Sequence, residues 1–160
     1  MQIQYLTGDA TAPIGKGEKI IVHVCNNIGE WCRGFVLAIS KRWPKPEQRY
    51  RAWHRGETDQ PFALGEVQFV QVTNDIHVAN IIAQRDVRPQ NCIPPIRYEA
   101  LRDGVRRVAA EARRLNASVH MPRIGCGLAG GNWNQVGPII QTELADHQIP
   151  VFVYDFPSTG

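Results

Sequence analysis

Short apolar segments recur along the chain and predict its strands. Residues 19–25 are almost continuously apolar and rich in β-branched side chains, as in a strand that is covered on both faces. Residues 65–72 and 76–83 are rich in Val, Ile and Phe, and the turn residues 73–75 between them predict an antiparallel pair. Weaker patterns predict short strands near residues 3–5, 119–121 and 151–154.

Apolar residues spaced by three and four positions predict the helices. The longest such pattern covers residues 98–115, where arginines such as Arg106 and Arg113 occupy the opposite face, which we interpret as a solvated surface. Asn116 is expected to cap this helix. Further helices are predicted at residues 36–43, ended by Pro44, in a short polar segment through Tyr50 and Trp53, and at residues 136–144, where Pro138 is compatible only with a position near the start.

The order of these elements predicts an α/β fold with three layers. Strands alternate with helices in the second half of the chain, and the hairpin makes the central sheet mixed rather than wholly parallel. At 160 residues the chain has the size of one domain, so we expect residues 1–160 to fold together. Ligands of such sheets bind at the carboxyl ends of strands, which directs attention to the loops after Cys25, Ala83, Met121 and Tyr154.

Composition narrows the class of partner. Hydrophobic residues make up 43% and charged residues 21% of the chain, a balance typical of a globular protein. The net charge of +3 is compatible with a partner that carries phosphates but is smaller than that of a dedicated nucleic-acid binder. No apolar run is long enough to span a membrane, so we expect a cytoplasmic, monomeric protein with no membrane partner.

Cysteine and histidine spacing gives no sign of a metal site or a disulfide. Cys25, Cys32, Cys92 and Cys126 form no C-x-x-C pair, and the five histidines lack the spacing of zinc ligands. We therefore expect reduced thiols, no bound metal and no cofactor.

A glycine-rich loop at residues 122–131 follows a predicted strand and precedes a predicted helix. Four of its glycines fall within seven positions, from Gly125 to Gly131. Glycine leaves backbone N–H groups uncovered, and such groups near a helix N-terminus can cradle a diphosphate. The loop matches neither the P-loop nor the dinucleotide-binding pattern, and a purely structural turn is the alternative.

A second such loop, residues 26–35, connects the buried strand to the next helix. Asn26 and Asn27 can hydrogen-bond to ribose hydroxyls, or they can support a turn or cap the helix. Asp9 has the same ambiguity, because its carboxylate can accept the exocyclic amine of adenine or form a turn.

Three segments together resemble the macrodomain family, specifically the branch that contains terminal ADP-ribose protein glycohydrolase. They are residues 7–9, residues 25–35 and, most specifically, residues 121–128 (Met-Pro-Arg-Ile-Gly-Cys-Gly-Leu), and they occur in family order along nearly the whole chain. The resemblance implies a macrodomain fold and a cleft for ADP-ribose, free or attached to a protein or nucleic acid. By this resemblance the ligand-binding residues are Asp9, Ala10 and Phe156 at adenine, Asn26, Asn27, Gly34 and Phe35 at the distal ribose, and Ile124, Gly125, Cys126, Gly127 and Leu128 at the phosphates.

The chain departs from that branch at its two catalytic positions. The family's lysine after the second hairpin strand corresponds here to Gln84 or Arg85, and its aspartate after Gly-Cys-Gly-Leu corresponds to Ala129. Neither Gln84 nor Arg85 offers an amine nucleophile, so a lysine adduct is excluded at this place.

Three functions follow as hypotheses. The first is a hydrolase of ADP-ribosyl links on a modified macromolecule, in which Gln84, Arg85 and Asp86 form the catalytic segment. Asp86 would then activate water, Arg85 would bind ribose or stabilise developing negative charge, and Glu30 is a second acid–base candidate. The alternatives are a reader that binds ADP-ribose without turnover, and a phosphatase of ADP-ribose 1''-phosphate, for which the sequence shows no diagnostic nucleophile.

Overall fold

The computed structural model describes residues 1–31 and 33–157. Strands and helices alternate along most of this length, and every element predicted from the hydrophobic pattern is present. The elements are β1 (Gln4–Thr7), β2 (Lys19–Asn26), α1 (Phe35–Arg42), α2 (Lys45–His54), β3 (Val67–Gln71), β4 (Ile76–Gln84), α3 (Tyr98–Leu115), β5 (Ser118–Met121), α4 (Trp133–Glu143), a short 3-10 turn (Ala145–His147) and β6 (Val151–Asp155).

The strands of the described residues form one six-stranded sheet in the order β1-β6-β5-β2-β4-β3. Neighbouring strands pair in parallel from β1 to β4, and β3 pairs with β4 in antiparallel fashion. The predicted mixed sheet and hairpin are therefore confirmed. Because five strands run in the same direction, their carboxyl ends meet at one edge of the sheet, where ligands of such folds bind.

Helices cover both faces of the sheet, which confirms the three-layer prediction. Ile20 and Val22 of β2 contribute to a core with α3 and α4, whereas Ile21 and Cys25 face a second core with α1 and α2. This alternation explains the continuous apolar sequence of β2, since each side chain enters one core or the other. On one face α3 lies very close to β4, because a Cβ at Gly104 would overlap Cγ2 of Ile81.

The start of helix α4 differs from the sequence prediction. α4 begins at Trp133, so Pro138 lies inside the helix rather than near its start. The reason is that Asn132 caps the helix, its side chain accepting a 2.8 Å bond from the backbone N–H of Asn134, and this cap fixes the helix start one turn before the proline. Asn116 caps α3 in a left-handed conformation, as predicted.

The arginine-rich face of α3 is not simply solvated. Arg106 donates to Glu143 of α4 at 3.1 Å, and Arg102 donates to the same carboxylate at 2.9 Å. Partial burial alone would raise the pKa of Glu143, but the two guanidinium donors outweigh it and hold that pKa below its usual range. This part of the face therefore joins α3 to α4, whereas Arg113 is exposed as expected.

No helix in residues 1–31 or 33–157 is long and apolar enough to cross a membrane. In the same part of the chain Cys25, Cys92 and Cys126 are free thiols. The expectation for Cys32 lies outside the described residues.

Candidate ligand-binding cleft

A cleft opens at the carboxyl edge of the sheet, between the loops that follow β2, β4 and β5. Its larger part has a volume of about 540 Å³ and lies between the loops after β2 and β4. Its smaller part, of about 200 Å³, continues under the loop after β5. The two parts share five of their lining residues and therefore form one continuous space. The shared residues are Val24, Arg33, Val36, Gln84 and Leu128.

Asn26 organises the loop after β2 rather than presenting free polar atoms to the cleft. Its side-chain oxygen accepts bonds from the N–H groups of Ile28 and Glu30, each at 3.1 Å, and from the Tyr50 hydroxyl at 2.9 Å. Its side-chain nitrogen donates to the carbonyl of Glu30 at 2.8 Å. The structure thus places Asn26 at the cleft but shows the turn-supporting geometry, since its amide is already engaged by its own loop.

Asn27 connects the loop after β2 to the loop after β4. Its backbone N–H donates to the carbonyl of Gln84 at 2.9 Å, and its side-chain oxygen accepts the backbone N–H of Asp86 at 2.8 Å. Asp86 has a φ of 64°, a left-handed conformation that is uncommon for aspartate. The bond from Asn27 helps to hold that conformation, and with it the position of the Asp86 side chain at the larger part of the cleft.

Gly34 and Phe35 mark the start of α1 beside the cleft. Gly34 has φ 77° and ψ −142°, a combination open almost only to glycine. A Cβ at Gly34 would lie 3.7 Å from Cδ1 of Leu128, so the loop after β2 directly faces the loop after β5. Gly34, Phe35 and Leu128 all line the smaller part of the cleft, as the resemblance implies for residues around a bound ligand.

The loop after β5 contains two glycines with different roles. Gly125 has a φ of 72°, and a Cβ there would lie 2.9 Å from Cδ1 of Ile96. Its backbone therefore requires glycine for structural reasons. Gly127 also lines the cleft, but a Cβ there would meet no atom within 4 Å. Gly127 is thus the position where bare backbone faces open space, as a phosphate cradle requires.

The other three residues expected at the phosphates are divided between core and surface. Ile124 is buried and lines the smaller part of the cleft, while Leu128 is 62% exposed at its rim. Cys126 lines neither part, and its thiol donates to the carbonyl of Ile124. Burial raises the pKa of this thiol, more than the nearby Arg123 lowers it.

Asp9 lies beyond the cavity, at the carboxyl end of β1. One carboxylate oxygen accepts bonds from the N–H and the hydroxyl of Thr11, at 2.8 and 2.7 Å, and the other lies 3.5 Å from the guanidinium of Arg42. Partial burial raises the pKa of Asp9, but the Thr11 bonds and Arg42 together hold that pKa below its usual range. The carboxylate is therefore ionised, and its second oxygen retains capacity for another donor.

Ala10 and Phe156 lie at the same end as Asp9. Ala10 follows Asp9 and is buried, whereas the Phe156 side chain is 73% exposed just past β6. The parallel pairing of β1 with β6 brings these two chain segments together, and the N–H of Gly8 donates to the carbonyl of Asp155 at 2.9 Å. The predicted adenine residues thus share one end of the sheet edge.

The segment after β4 is placed at the cleft only in part. Gln84 lines both parts of the cavity and Asp86 lines the larger one, but the exposed Arg85 lines neither. The arginines that line the cleft are instead Arg33 at both parts, Arg88 at the larger part and Arg123 at the smaller part. The structure thus places Arg85 at the surface outside the described cavity, although the sequence predicted it as a catalytic residue. The sequence could have indicated Arg88 as a cleft residue, because it is the next cationic residue after Arg85 in the same loop.

Glu30 lines the larger part of the cleft from the loop after β2, whereas Asp86 lies in the loop after β4. Its backbone is held on both sides by the Asn26 amide, and its side chain is exposed. Two carboxylates thus reach the same cavity from separate loops, which is an arrangement suited to proton transfer.

His23 is a cleft residue that sequence reasoning missed. It lies on β2, lines the smaller part of the cavity, and contacts Asn80 at 2.5 Å between Nε2 and Oδ1. Burial lowers the pKa of His23 to about 4, although the Asn80 bond opposes this, so the ring is neutral at neutral pH. The sequence feature that could have identified His23 is a histidine inside an otherwise apolar strand.

The described residues offer no group of three or more His, Cys, Asp or Glu side chains placed to share a metal ion. Taken together, the sheet and the cleft define a three-layer α/β domain with a glycine-lined cleft at the carboxyl edge of its sheet. A solved structure described as a macrodomain protein from Streptomyces coelicolor has a TM-score of 0.86 and 53% identity, and the match covers 96% of this chain and 99% of that chain. The chain belongs to the macrodomain family, as the sequence motifs indicated.

Two further structures have the same fold. A protein of unknown function from Bacteroides thetaiotaomicron has a TM-score of 0.94 and 52% identity, over 97% of this chain and 98% of that one. Thermosipho africanus DarTG, solved in complex with ADP-ribose, has a TM-score of 0.68 over 88% of this chain and 38% of that chain. At 16% identity this last match shows a shared fold alone.

Curated relatives include proteins of different size and description. Chromodomain-helicase-DNA-binding protein 1-like from Mus musculus is 32% identical over 97% of this chain, which spans only 18% of that protein's length. An ADP-ribose 1''-phosphate phosphatase from Candida albicans is 27% identical, over 87% of this chain and 92% of the relative. No family model matches the chain.

Proposed function

We propose that this macrodomain binds ADP-ribose in the cleft at the carboxyl edge of its sheet. The observation that carries the proposal is the unobstructed backbone at Gly127, which lines the smaller part of the cleft together with Gly34, Phe35 and Leu128. Backbone N–H groups in such a space can hold a diphosphate. The Asp9 carboxylate at one end suits an adenine amine, and the larger cavity at the other end has room for the distal ribose.

Two comparisons support this choice of ligand. The DarTG structure with the same fold contains ADP-ribose, and the Candida relative is named for ADP-ribose 1''-phosphate. Both ligands share the nucleotide diphosphate and differ only at the distal ribose, which is the part that the larger cavity would receive.

Hydrolysis of an ADP-ribosyl link is the activity that the side chains of the larger cavity support best. Asp86 would take a proton from water while the water oxygen bonds to C1'' of the distal ribose. The bond from C1'' to the modified target would break, and the leaving atom would receive a proton from solvent or from Glu30. Arg33 and Arg88 would bind the ribose and phosphate oxygens during this step. No lysine adduct is needed.

Two other functions remain as alternatives with specific support. A reader without turnover is favoured by Gln84 and Ala129, which stand where the resembling branch has its catalytic lysine and aspartate. A phosphatase acting on ADP-ribose 1''-phosphate is favoured by the Candida relative. Cys25 lines the larger part of the cleft, but burial raises the pKa of its thiol, which disfavours the thiolate that a nucleophile requires.

One experiment separates the three functions. Purified protein is incubated with ADP-ribosylated protein, ADP-ribosylated DNA and ADP-ribose 1''-phosphate, while calorimetry measures binding of free ADP-ribose. Release of ADP-ribose from a macromolecule supports the hydrolase, and release of inorganic phosphate supports the phosphatase. Binding without any product supports the reader. Folded protein that binds no ADP-ribose contradicts the proposal as a whole.

Asp9→Asn is expected to weaken ADP-ribose binding while preserving the local turn. The asparagine oxygen still accepts the Thr11 bonds, but an NH₂ group replaces the oxygen that would accept the adenine amine. Loss of a hydrogen bond to this charged group is expected to cost about 1–3 kcal/mol. Calorimetry with ADP-ribose checks the result, and an unchanged dissociation constant would place adenine away from Asp9.

A further inference from the structure

A buried chain of hydrogen bonds links β5 and β6 to the segment between β1 and β2. Nε2 of His120 lies 2.7 Å from the hydroxyl of Ser118, and its Nδ1 lies 2.7 Å from the hydroxyl of Tyr154. The Tyr154 hydroxyl also accepts the backbone N–H of Ile14 at 3.0 Å. His120 is fully buried and stacks on Phe152 with a centroid separation of 5.0 Å and an interplanar angle of 8°.

The direction of each bond follows from the number of available protons. Burial, helped by the charge of Lys19, lowers the pKa of His120 to about 4, so one ring nitrogen donates and the other accepts. Tyr154 is only 3% exposed and already accepts from Ile14. Its single proton therefore goes to Nδ1 of His120, since any other arrangement leaves a buried hydroxyl proton without a partner. Nε2 of His120 then donates to Ser118.

Within residues 8–18, this chain of bonds holds the part around Ile14, whereas Thr11 is buried and accepts a bond from Arg42. Ile14 lies near the middle of residues 8–18, and its side chain is 49% exposed, so burial contributes little to fixing it. Asp9 lies in the same segment, five residues before Ile14. The start of the segment also packs against Tyr154, because a Cβ at Gly8 would lie 3.4 Å from the Tyr154 ring. Tyr154 therefore contacts this segment on both sides of Asp9, at Gly8 and at Ile14.

We propose that Ser118, His120 and Tyr154 form a relay that positions the Asp9 segment and thereby sets the base selectivity of the cleft. The inference rests on the proposed binding of ADP-ribose. Tyr154 and His120 are positioning residues: Tyr154 fixes the segment, and His120 fixes the direction of the Tyr154 hydroxyl. The ligand class that the relay selects is a nucleotide with an exocyclic amine donor on its base, opposite the Asp9 carboxylate.

The test compares ADP-ribose with inosine diphosphate ribose, in which a carbonyl replaces the adenine amine. The selectivity is the ratio of the two dissociation constants, measured by calorimetry. Tyr154→Phe keeps the ring under Gly8 but releases Ile14, and it is expected to lower the wild-type selectivity by about 3-fold to 10-fold, the range for loss of one hydrogen bond. A purely structural role would lower the folded fraction and leave the ratio unchanged, because unfolded molecules bind neither ligand.

Two variants of His120 provide a matched pair. His120→Phe keeps a ring against Phe152 but removes the acceptor for Tyr154, so its selectivity is expected to fall as in Tyr154→Phe. His120→Asn places an oxygen close to the position of Nδ1 and is expected to restore most of the selectivity. If Tyr154→Phe fails to fold, this pair carries the test alone.

The outcomes distinguish the inference from the function on which it rests. Wild-type selectivity in folded Tyr154→Phe and His120→Phe would overturn the relay while ADP-ribose binding stands. If the selectivity of His120→Asn is as low as that of His120→Phe, the role assigned to His120 is overturned. Wild-type protein that binds neither nucleotide would overturn both the proposed function and the relay.

Discussion

Gly127→Val is expected to abolish measurable ADP-ribose binding while leaving the fold intact. The valine side chain would enter the open space beside the smaller part of the cleft, where no atom lies within 4 Å of the position of its Cβ. It would therefore occupy the volume proposed for the diphosphate. Hydrogen bonds to a charged group are worth about 1.5–3 kcal/mol each. Displacing the diphosphate from two such bonds is expected to weaken binding by more than about 100-fold.

Gly125→Val is the matched comparison for this prediction. Its φ of 72° and the 2.9 Å approach to Ile96 make valine unfavourable there whether or not a ligand binds. Such backbone strain is expected to cost about 1–3 kcal/mol of folding stability. Thermal unfolding and calorimetry on both variants check the contrast. A Gly127→Val protein that keeps wild-type affinity would show that the diphosphate does not pass this glycine.

Asp86→Asn is expected to lower the turnover number for ADP-ribosyl hydrolysis by about 10²–10⁴-fold, the usual contribution of a general base. Asparagine is nearly the same size and keeps the acceptor for the N–H of Val87, so the loop should retain its shape. Affinity for free ADP-ribose is expected to change little, because the lost interaction acts on the water and not on the ground-state ligand. Steady-state kinetics on the substrate that releases ADP-ribose check this.

Arg85→Ala and Glu30→Gln are the controls for Asp86. Arg85 belongs to the same loop but lines neither part of the cleft, so its loss is expected to leave turnover near that of wild type. Glu30→Gln measures how much the Glu30 carboxylate contributes to turnover. Full activity in Asp86→Asn combined with a large loss in Glu30→Gln would move the base to the loop after β2. A large loss in Arg85→Ala would show that the loop rearranges when substrate binds.

The main elements of the fold could be predicted because their hydrophobic periods are strong. β2 lies between two apolar cores and reads as a continuous apolar run, and α3 buries one regular face. The position of the cleft also followed from the parallel order of the strands. Pro138 shows the limit of this reasoning, because the start of α4 is decided by the side-chain cap at Asn132 and not by the position of the proline.

Side-chain directions inside the loops could not be predicted, since irregular backbone has no period. Arg85 and Arg88 are equivalent cations on the sequence, but only Arg88 reaches the cavity. Asn26 similarly carries a suitable amide for a sugar, yet the turn that it forms with residues 28–30 uses that amide. The difference between a ligand contact and a loop support depends on tertiary hydrogen bonds that a local motif does not encode.

The helix α1 joins the two ends of the proposed ligand. It begins at Phe35, its first turn lines both parts of the cleft through Val36, and it ends at Arg42, whose guanidinium contacts Thr11 at 2.7 Å and Asp9 at 3.5 Å. Eight helical residues extend for about 12 Å and resist compression or stretching, because each turn is fixed by backbone hydrogen bonds. The helix therefore fixes the distance between the Asp9 end and the cleft. If ADP-ribose binds as proposed, a nucleotide sugar with one phosphate fewer or one phosphate more is therefore expected to bind more weakly, because it would not reach both ends of the cleft at once.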